Sequence, residues 1–386
     1  MNRSKLKPWL LAGALMAATV SPAVLGKTLV YVSNSIDGTI TSYTLDESSG
    51  ALAELGSVMA GKVVMPMAVA PNRRCLYAVV RSAPMRVFTY GIDGQSGALT
   101  QWAEAPLPDS MPYVATDRTG RFLLTASYSG NKVAVSPIDA DCKVTRPASQ
   151  ILPTGRNAHA IQTDRSNRFV FVPNLGDDQI LQFRFDAASG QLTPNDPPLI
   201  KTAAGEGPRH FVFSPDNHFV YVLHELSGMV TQYELDANNG RLQPVISVAS
   251  VPADAGLVRG VVQPPITADR LAARTQEKPR NAISAADIKL TPDGRYLFTT
   301  ERTSSKLALF QVDAPTGRPR FIESIPTVNQ PRGIAIDPQG RFLVASGEKS
   351  TEVAVYRIES STGRLTEVSR APAGKGANWV EIVELP

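Results

Sequence analysis

The sequence predicts an all-β chain folded as a seven-bladed β-propeller, and three observations carry that expectation. First, a turn flanked by two apolar strands recurs six times, at residues 68–74, 115–121, 162–168, 213–218, 290–295 and 336–341. Counted from Arg74, the steps are 47, 47, 50, 77 and 46 residues. Second, a strand ending near Asp and then a Ser-Gly-like turn keeps the same beat, with its glycines at Gly50, Gly97, Gly190, Gly240, Gly317 and Gly363. A degenerate copy at residues 139–142 fills the long gap in that series. Third, the two ends of the chain complement each other. The first copy lacks an opening strand, and residues 378–385 supply one strand more than the last copy needs. A period of about 40–50 residues built from short strands and tight turns is the pattern of a propeller.

Each element follows from that repeat. Residues 29–33, 38–45 and 51–54 provide three strands of the first blade, and the C-terminal strand completes it. This closes the ring and removes an exposed sheet edge. Six further copies each provide four strands, lettered A to D outward from a central channel. The step of 77 residues holds about thirty extra residues near 250–284, rich in Pro, Arg, Ala and Gln. They lack strand alternation and read as a loop over one rim, a variable surface loop in preference to a substrate lid.

The amino terminus stands outside the ring. A basic head at residues 1–7, a short apolar run at 9–20 and small residues before Lys27 read as a secretory signal peptide, residues 1–26. The domain is then 27–386, exported to a bacterial periplasm, with no membrane anchor after cleavage. Removing Arg3, Lys5 and Lys7 lowers the formal charge from +4 to +1. No basic run remains, so nucleic acid is not an expected partner. Cys75 and Cys142 fall in different blades and are expected to be two buried thiols, although the compartment permits a bridge. No cysteine- or histidine-rich cluster marks a metal site.

Candidate chemistry gathers where the A strands begin. Five residues before the matched turn position stand His159, Arg209 and Arg332. His210, Asp287 and Tyr113 share the next position. The B-strand ends add Glu225, Arg302 and Asn174. His218 and His224 read as structural, and the turn arginines Arg74, Arg121, Arg168, Arg295 and Arg341 as inter-blade glue. From spacing alone the channel residues fit either a self-satisfied polar lining or a site for an anionic or carbonyl-bearing ligand.

At these residues the chain resembles the propeller lactonase family, the cycloisomerase-type 6-phosphogluconolactonases and the periplasmic gluconolactonases of the kind pseudomonads carry. The matching segments are residues 65–67, 207–213, 224–226, 286–295, 330–333 and 378–380. Met65 departs from a glutamine that the family often has. The resemblance implies a lactone hydrolase without a cofactor or metal, acting on a small sugar lactone. A fungal muconate-lactonising enzyme of this fold uses a His, a Glu and two Arg in its channel. By that likeness the roles fall on His159, Glu225, Arg209 and Arg302. His210, Arg332, Asp287, Tyr113 and Asn174 would line the substrate. The signal peptide moves the expected substrate from a phosphorylated lactone to D-glucono-1,5-lactone. A 6-phosphogluconolactonase and a non-catalytic binding propeller are the alternatives.

Overall fold

The computed structural model describes Met1, residues 26–264 and residues 279–385. It is a ring of seven four-stranded antiparallel sheets. Most of the expected signal peptide and the middle of the 250–284 insertion lie outside the described residues. The first blade is built as anticipated: Ala377–Glu384 pairs with Thr28–Asn34, placing Trp379 opposite Ser33 and Glu384 opposite Thr28. That strand is the innermost of its sheet, and the ring closes through it. The inner strands of neighbouring blades touch around the axis.

The repeated turns explain how one blade grips the next. A Cβ added to Gly240 would come within 2.1 Å of the Phe169 ring in the preceding blade. Its φ of +71° is also a conformation that side chains rarely adopt. The C–D turn of each blade therefore lies flat on the first B-strand residue of the blade before it. Gly190 meets Phe122, Gly317 meets Phe219, Gly363 meets Tyr296 and Gly50 meets Phe342 in the same way.

One interface uses different chemistry at this position. Cys142 occupies the glycine place in blade three, with φ +72°, and Cys75 occupies the aromatic place in blade two. The two form a disulfide with Cα atoms 6.4 Å apart. The expectation of two separate thiols is corrected here. Residues in different blades are adjacent because the turn of one blade overlaps the strand of its neighbour.

The turn arginines act between blades. Arg121 and Arg168 donate to the carbonyls of Ala187 and Ala237 in the following blade. Arg341 bonds Glu47 across the closure at 2.7 Å. Each of the three also lies over the aromatic ring that follows it in sequence.

The insertion leaves blade five after strand D (Leu242–Ala249) and returns to strand A of blade six (Ala285–Leu290). It is pinned to the face where A strands begin. Gly260 donates to the Leu226 carbonyl at 2.7 Å, and Val258 pairs with Ala282. Gln263 then accepts a hydrogen bond of 2.6 Å from the Tyr128 hydroxyl in blade three. The described part of the insertion thus reaches across to another blade.

Candidate active site at the upper mouth of the channel

The A strands start, and the B strands end, at one mouth of the channel, here the upper one. Arg209 and His210 open strand A of blade five (Pro208–Phe213), where a register shift between Pro208 and His210 turns consecutive side chains toward the axis. Arg332 in blade seven and Asp287 in blade six lie at similar shifts. Glu225 and Arg302 follow directly on the B strands of blades five and six, Phe219–His224 and Tyr296–Glu301.

These side chains form one connected group. Arg209 donates from Nε to Glu225 Oε2 at 2.8 Å. Arg302 Nη2 stands 2.8 Å from Glu225 Oε1. Arg209 Nη1 also donates to the Ala286 carbonyl and meets His210 Nε2 at 3.1 Å. His210 Nδ1 lies 2.9 Å from Asp287 Oδ1. Since the guanidinium can only donate, His210 Nε2 accepts, and Nδ1 carries the proton and donates its hydrogen bond to Asp287. Asp287 is tied further to Lys289 Nζ at 3.2 Å.

Burial alone would raise the Glu225 carboxyl, but Arg302, Arg209 and Arg332 outweigh it and bring it down to about 2. Asp287 is likewise held well below the usual carboxylate range against its burial, by Lys289 and His210. Burial drives His210 down to about 3, aided by Arg209. His159 is also pushed well below 6.5, by burial and then by Arg209, His210 and Arg332. All of these groups keep one protonation state near neutrality: both carboxylates are charged and both imidazoles neutral. His159 is held by its own backbone, whose N–H donates to Pro173 O at 3.0 Å. Its Nδ1 is buried and has no hydrogen-bond partner. A neutral imidazole can accept a proton at the ring nitrogen that carries none.

Two residues of this group escaped the sequence reading. Arg81 and Glu348 each lie seven residues past a repeat-turn arginine, Arg74 and Arg341. Arg302 stands at the same distance from Arg295, and Glu225 from His218. The spacing that places Glu225 and Arg302 would have found both. Arg332 pairs with Glu348 at 3.0 Å. Arg81 is buried, donates to Ser110 Oγ at 3.0 Å and approaches Met65 Sδ at 3.1 Å. Its guanidinium is brought down to about 9 by burial and then by Arg332, and stays charged at neutral pH. Among the described residues, the mouth thus gathers four guanidiniums (Arg81, Arg209, Arg302 and Arg332) with two carboxylates (Glu225 and Glu348). Such an excess of positive charge favours a ligand that carries or develops negative charge.

Two other expected lining residues lie elsewhere. Asn174 falls one residue short of the matched position, which Leu175 occupies, and its amide donates to the Gly155 carbonyl at 3.1 Å. Tyr113 packs against His210 and Trp379, with ring centroids 5.1 and 5.6 Å apart, on the lower side of the His210 ring. His224 turns into its own blade and meets Thr231 Oγ1 at 2.8 Å, as its alternation with Glu225 suggests. Among the described residues no group of three or more His, Cys, Asp or Glu could hold a metal ion. No helix among them is long and apolar enough to cross a membrane.

Comparison with known proteins agrees with this architecture. Residues 29–382 match the family described as lactonase, seven-bladed β-propeller. The 6-phosphogluconolactonase of Serratia proteamaculans is 37% identical over 358 residues, covering 92% of this chain and 99% of that protein. The 6-phosphogluconolactonase of Yersinia pestis is 38% identical over 358 residues, covering 92% of this chain and 98% of its own. The structure of the periplasmic gluconolactonase PpgL of Pseudomonas aeruginosa superposes with a TM-score of 0.80 at 25% identity, covering 93% of this chain and all of that one. This chain belongs to the seven-bladed β-propeller lactonase family and is a lactone hydrolase.

Proposed function

We propose that the chain is an exported sugar lactonase acting at the upper mouth, with D-glucono-1,5-lactone as its substrate. The observation that carries this reading is the neutral imidazole of His159 beside the arginine-rich group around Glu225. Water attacks the lactone carbonyl carbon while its proton passes to the neutral imidazole of His159. The carbonyl oxygen takes up negative charge against the guanidiniums of Arg302 and Arg332. Donors placed in advance for a developing oxyanion commonly contribute about 3–4 kcal/mol. The tetrahedral intermediate then breaks its ring C–O bond, and the proton on His159 goes to the departing alkoxide. The product is the open-chain hydroxy acid.

Glu225 is an unsuitable base in this arrangement. Both of its oxygens face guanidiniums, and it stays ionised far below neutrality. Its role is to hold Arg209 and Arg302 in place. Arg209 spends Nε and Nη1 on Glu225, His210 and Ala286, so it is a positioning residue.

Export rests on the basic head, apolar run and small residues of the first 26 positions. The Cys75–Cys142 bridge supports it, because structural disulfides persist in oxidising compartments. Phosphorylated sugar lactones arise inside the cell, which favours the free lactone. A second reading, hydrolysis of the 6-phosphate of the same lactone, draws on the fourth arginine and on the names of the two relatives above. The deciding experiment assays the purified protein on both lactones, with spontaneous hydrolysis subtracted at controlled, mildly acidic pH. A rate above background only on the 6-phosphate would replace the first reading by the second. Amino-terminal sequencing of exported protein should begin near Lys27, and an intact Met1 would remove the argument from compartment.

A further inference from the structure

The channel has a second polar cavity at its other end. It measures about 420 Å³ and sits where the A strands run into their turns, within the roughly 300–1,000 Å³ range of small-molecule sites. The His210 ring separates it from the upper mouth. It packs against Tyr113 and Trp379 below and His159 above, with centroids 5.1, 5.9 and 5.2 Å away.

The groups facing this cavity come from several blades. Gln162 donates from Nε2 to the Tyr113 hydroxyl and to the Phe211 carbonyl. Its side-chain oxygen has no hydrogen-bond partner among the described residues. Trp379 donates its indole N–H to Glu381 Oε1 at 2.7 Å, leaving the other Glu381 oxygen without one. The Lys289 charge is answered by Asp287. Arg118 turns two of its nitrogens to the carbonyls of Asp164 and Thr163. Unlike the upper mouth, this cavity has no cluster of guanidiniums. It offers a mixture of donors and acceptors beside the edges of Tyr113 and Trp379, which suits a molecule that is neutral, rich in hydroxyls and partly apolar.

We infer that the lower cavity is a separate binding site for a neutral polyhydroxy compound of monosaccharide size. Saturation-transfer NMR on the full-length protein, with D-glucose as the probe, tests this. Wild-type protein should transfer saturation to glucose, and the sodium salt of gluconate should not displace it. Gln162→Leu should reduce the transfer at least five-fold, and Tyr113→Phe, a milder change, at least two-fold, each with an unchanged far-ultraviolet circular dichroism spectrum. His159→Ala, at the upper mouth, should leave it intact. Absence of transfer in the wild type, displacement by gluconate, or loss in His159→Ala with retention in both lower variants would each overturn the inference.

Discussion

Arg209 hydrogen-bonds the side chain of its own neighbour: Nη1 and His210 Nε2 are 3.1 Å apart. The contact fixes the His210 tautomer and aims its N–H at Asp287, so a continuous polar chain runs from Lys289 through Asp287, His210 and Arg209 to Glu225 and Arg302. Asp287 touches no upper-mouth ligand, yet through His210 it fixes Arg209, which with Glu225 holds Arg302 in place. Asp287→Asn should therefore lower kcat by about ten-fold, equivalent to roughly 1.4 kcal/mol, near the value of one charged hydrogen bond. The Lys289→Met variant, which keeps the His210–Asp287 bond, should retain more of the rate than Asp287→Asn. Equal losses in the two would show that charge, and not the tautomer, is what matters.

Direct substitution at the upper mouth should separate chemistry from scaffold. His159→Ala removes the proton acceptor, and Glu225→Gln loosens the ion pairs to Arg209 and Arg302. Each should lower kcat/KM on the preferred lactone by about ten-fold or more, the low end for a lost acid–base group or oxyanion support. Arg341→Ala removes a partly exposed bridge to Glu47. It should cost about 0.5–1 kcal/mol of stability and leave the rate per folded molecule nearly unchanged. An active enzyme indifferent to His159→Ala and Glu225→Gln would move the site elsewhere in the channel.

The pH response follows from the buried groups. His159 is pushed well below 6.5, so its neutral, proton-accepting form persists as the solution is acidified. The acid limb of kcat/KM should accordingly have its midpoint below 6.5. Stability moves as well. His210 and His224 are brought down to about 3 by burial, and His159 shifts in the same direction. Below pH 6.5 the unfolded chain binds protons at these histidines that the folded one does not, so stability falls as pH falls. Each histidine contributes at most about 1.4 kcal/mol per pH unit in that window. Glu381, raised to about 7 by burial, works in the opposite sense between its unfolded value of 4.5 and about 7. Glu206 and Asp337, also raised by burial, act in the same sense as Glu381. The histidines shift furthest across the window from pH 6.5 to 4.5, and the urea midpoint should drop there. A midpoint that rises on acidification would contradict these assignments.

Much of this was legible in the chain because a propeller writes its geometry as a period. The six turn copies placed Arg209, Arg332 and His159 at one level, and the structure brings all three to the same mouth. The surplus strand at 378–385 likewise matched the missing strand of the first blade. Arg81 and Glu348 follow from the same seven-residue spacing as Glu225. Asn174 is one residue short of that level, and alternation along a strand makes one residue the difference between facing the channel and facing away. The central plug of Tyr113, His210 and Trp379 depends on side-chain depth along the axis, which a repeat does not encode.

The disulfide is the sharpest case, and it gives the last prediction. Cys75 stands where five other blades have Phe or Tyr, and Cys142 where six have Gly. Aligning the two motifs of the repeat pairs these columns across every interface. The bridge therefore replaces a contact of ring against glycine that five of the six other interfaces use, Gly97 meeting Leu29 at the sixth. It closes a loop with a sequence separation of 67 residues. Chain-entropy arguments assign about 4 kcal/mol to a loop of that length. The Cys75→Ala/Cys142→Ala double variant should lose a similar amount, because alanines restore neither the bridge nor the aromatic face. Cys75→Phe/Cys142→Gly installs the pair used elsewhere in the ring and should recover part of the loss. Thermal unfolding of the three proteins, with and without reductant, measures both effects. Reductant should lower the wild-type midpoint and leave both variants unmoved. A wild-type transition insensitive to reductant, with both thiols shown to be free by alkylation and mass measurement, would remove the bridge and with it one support for export.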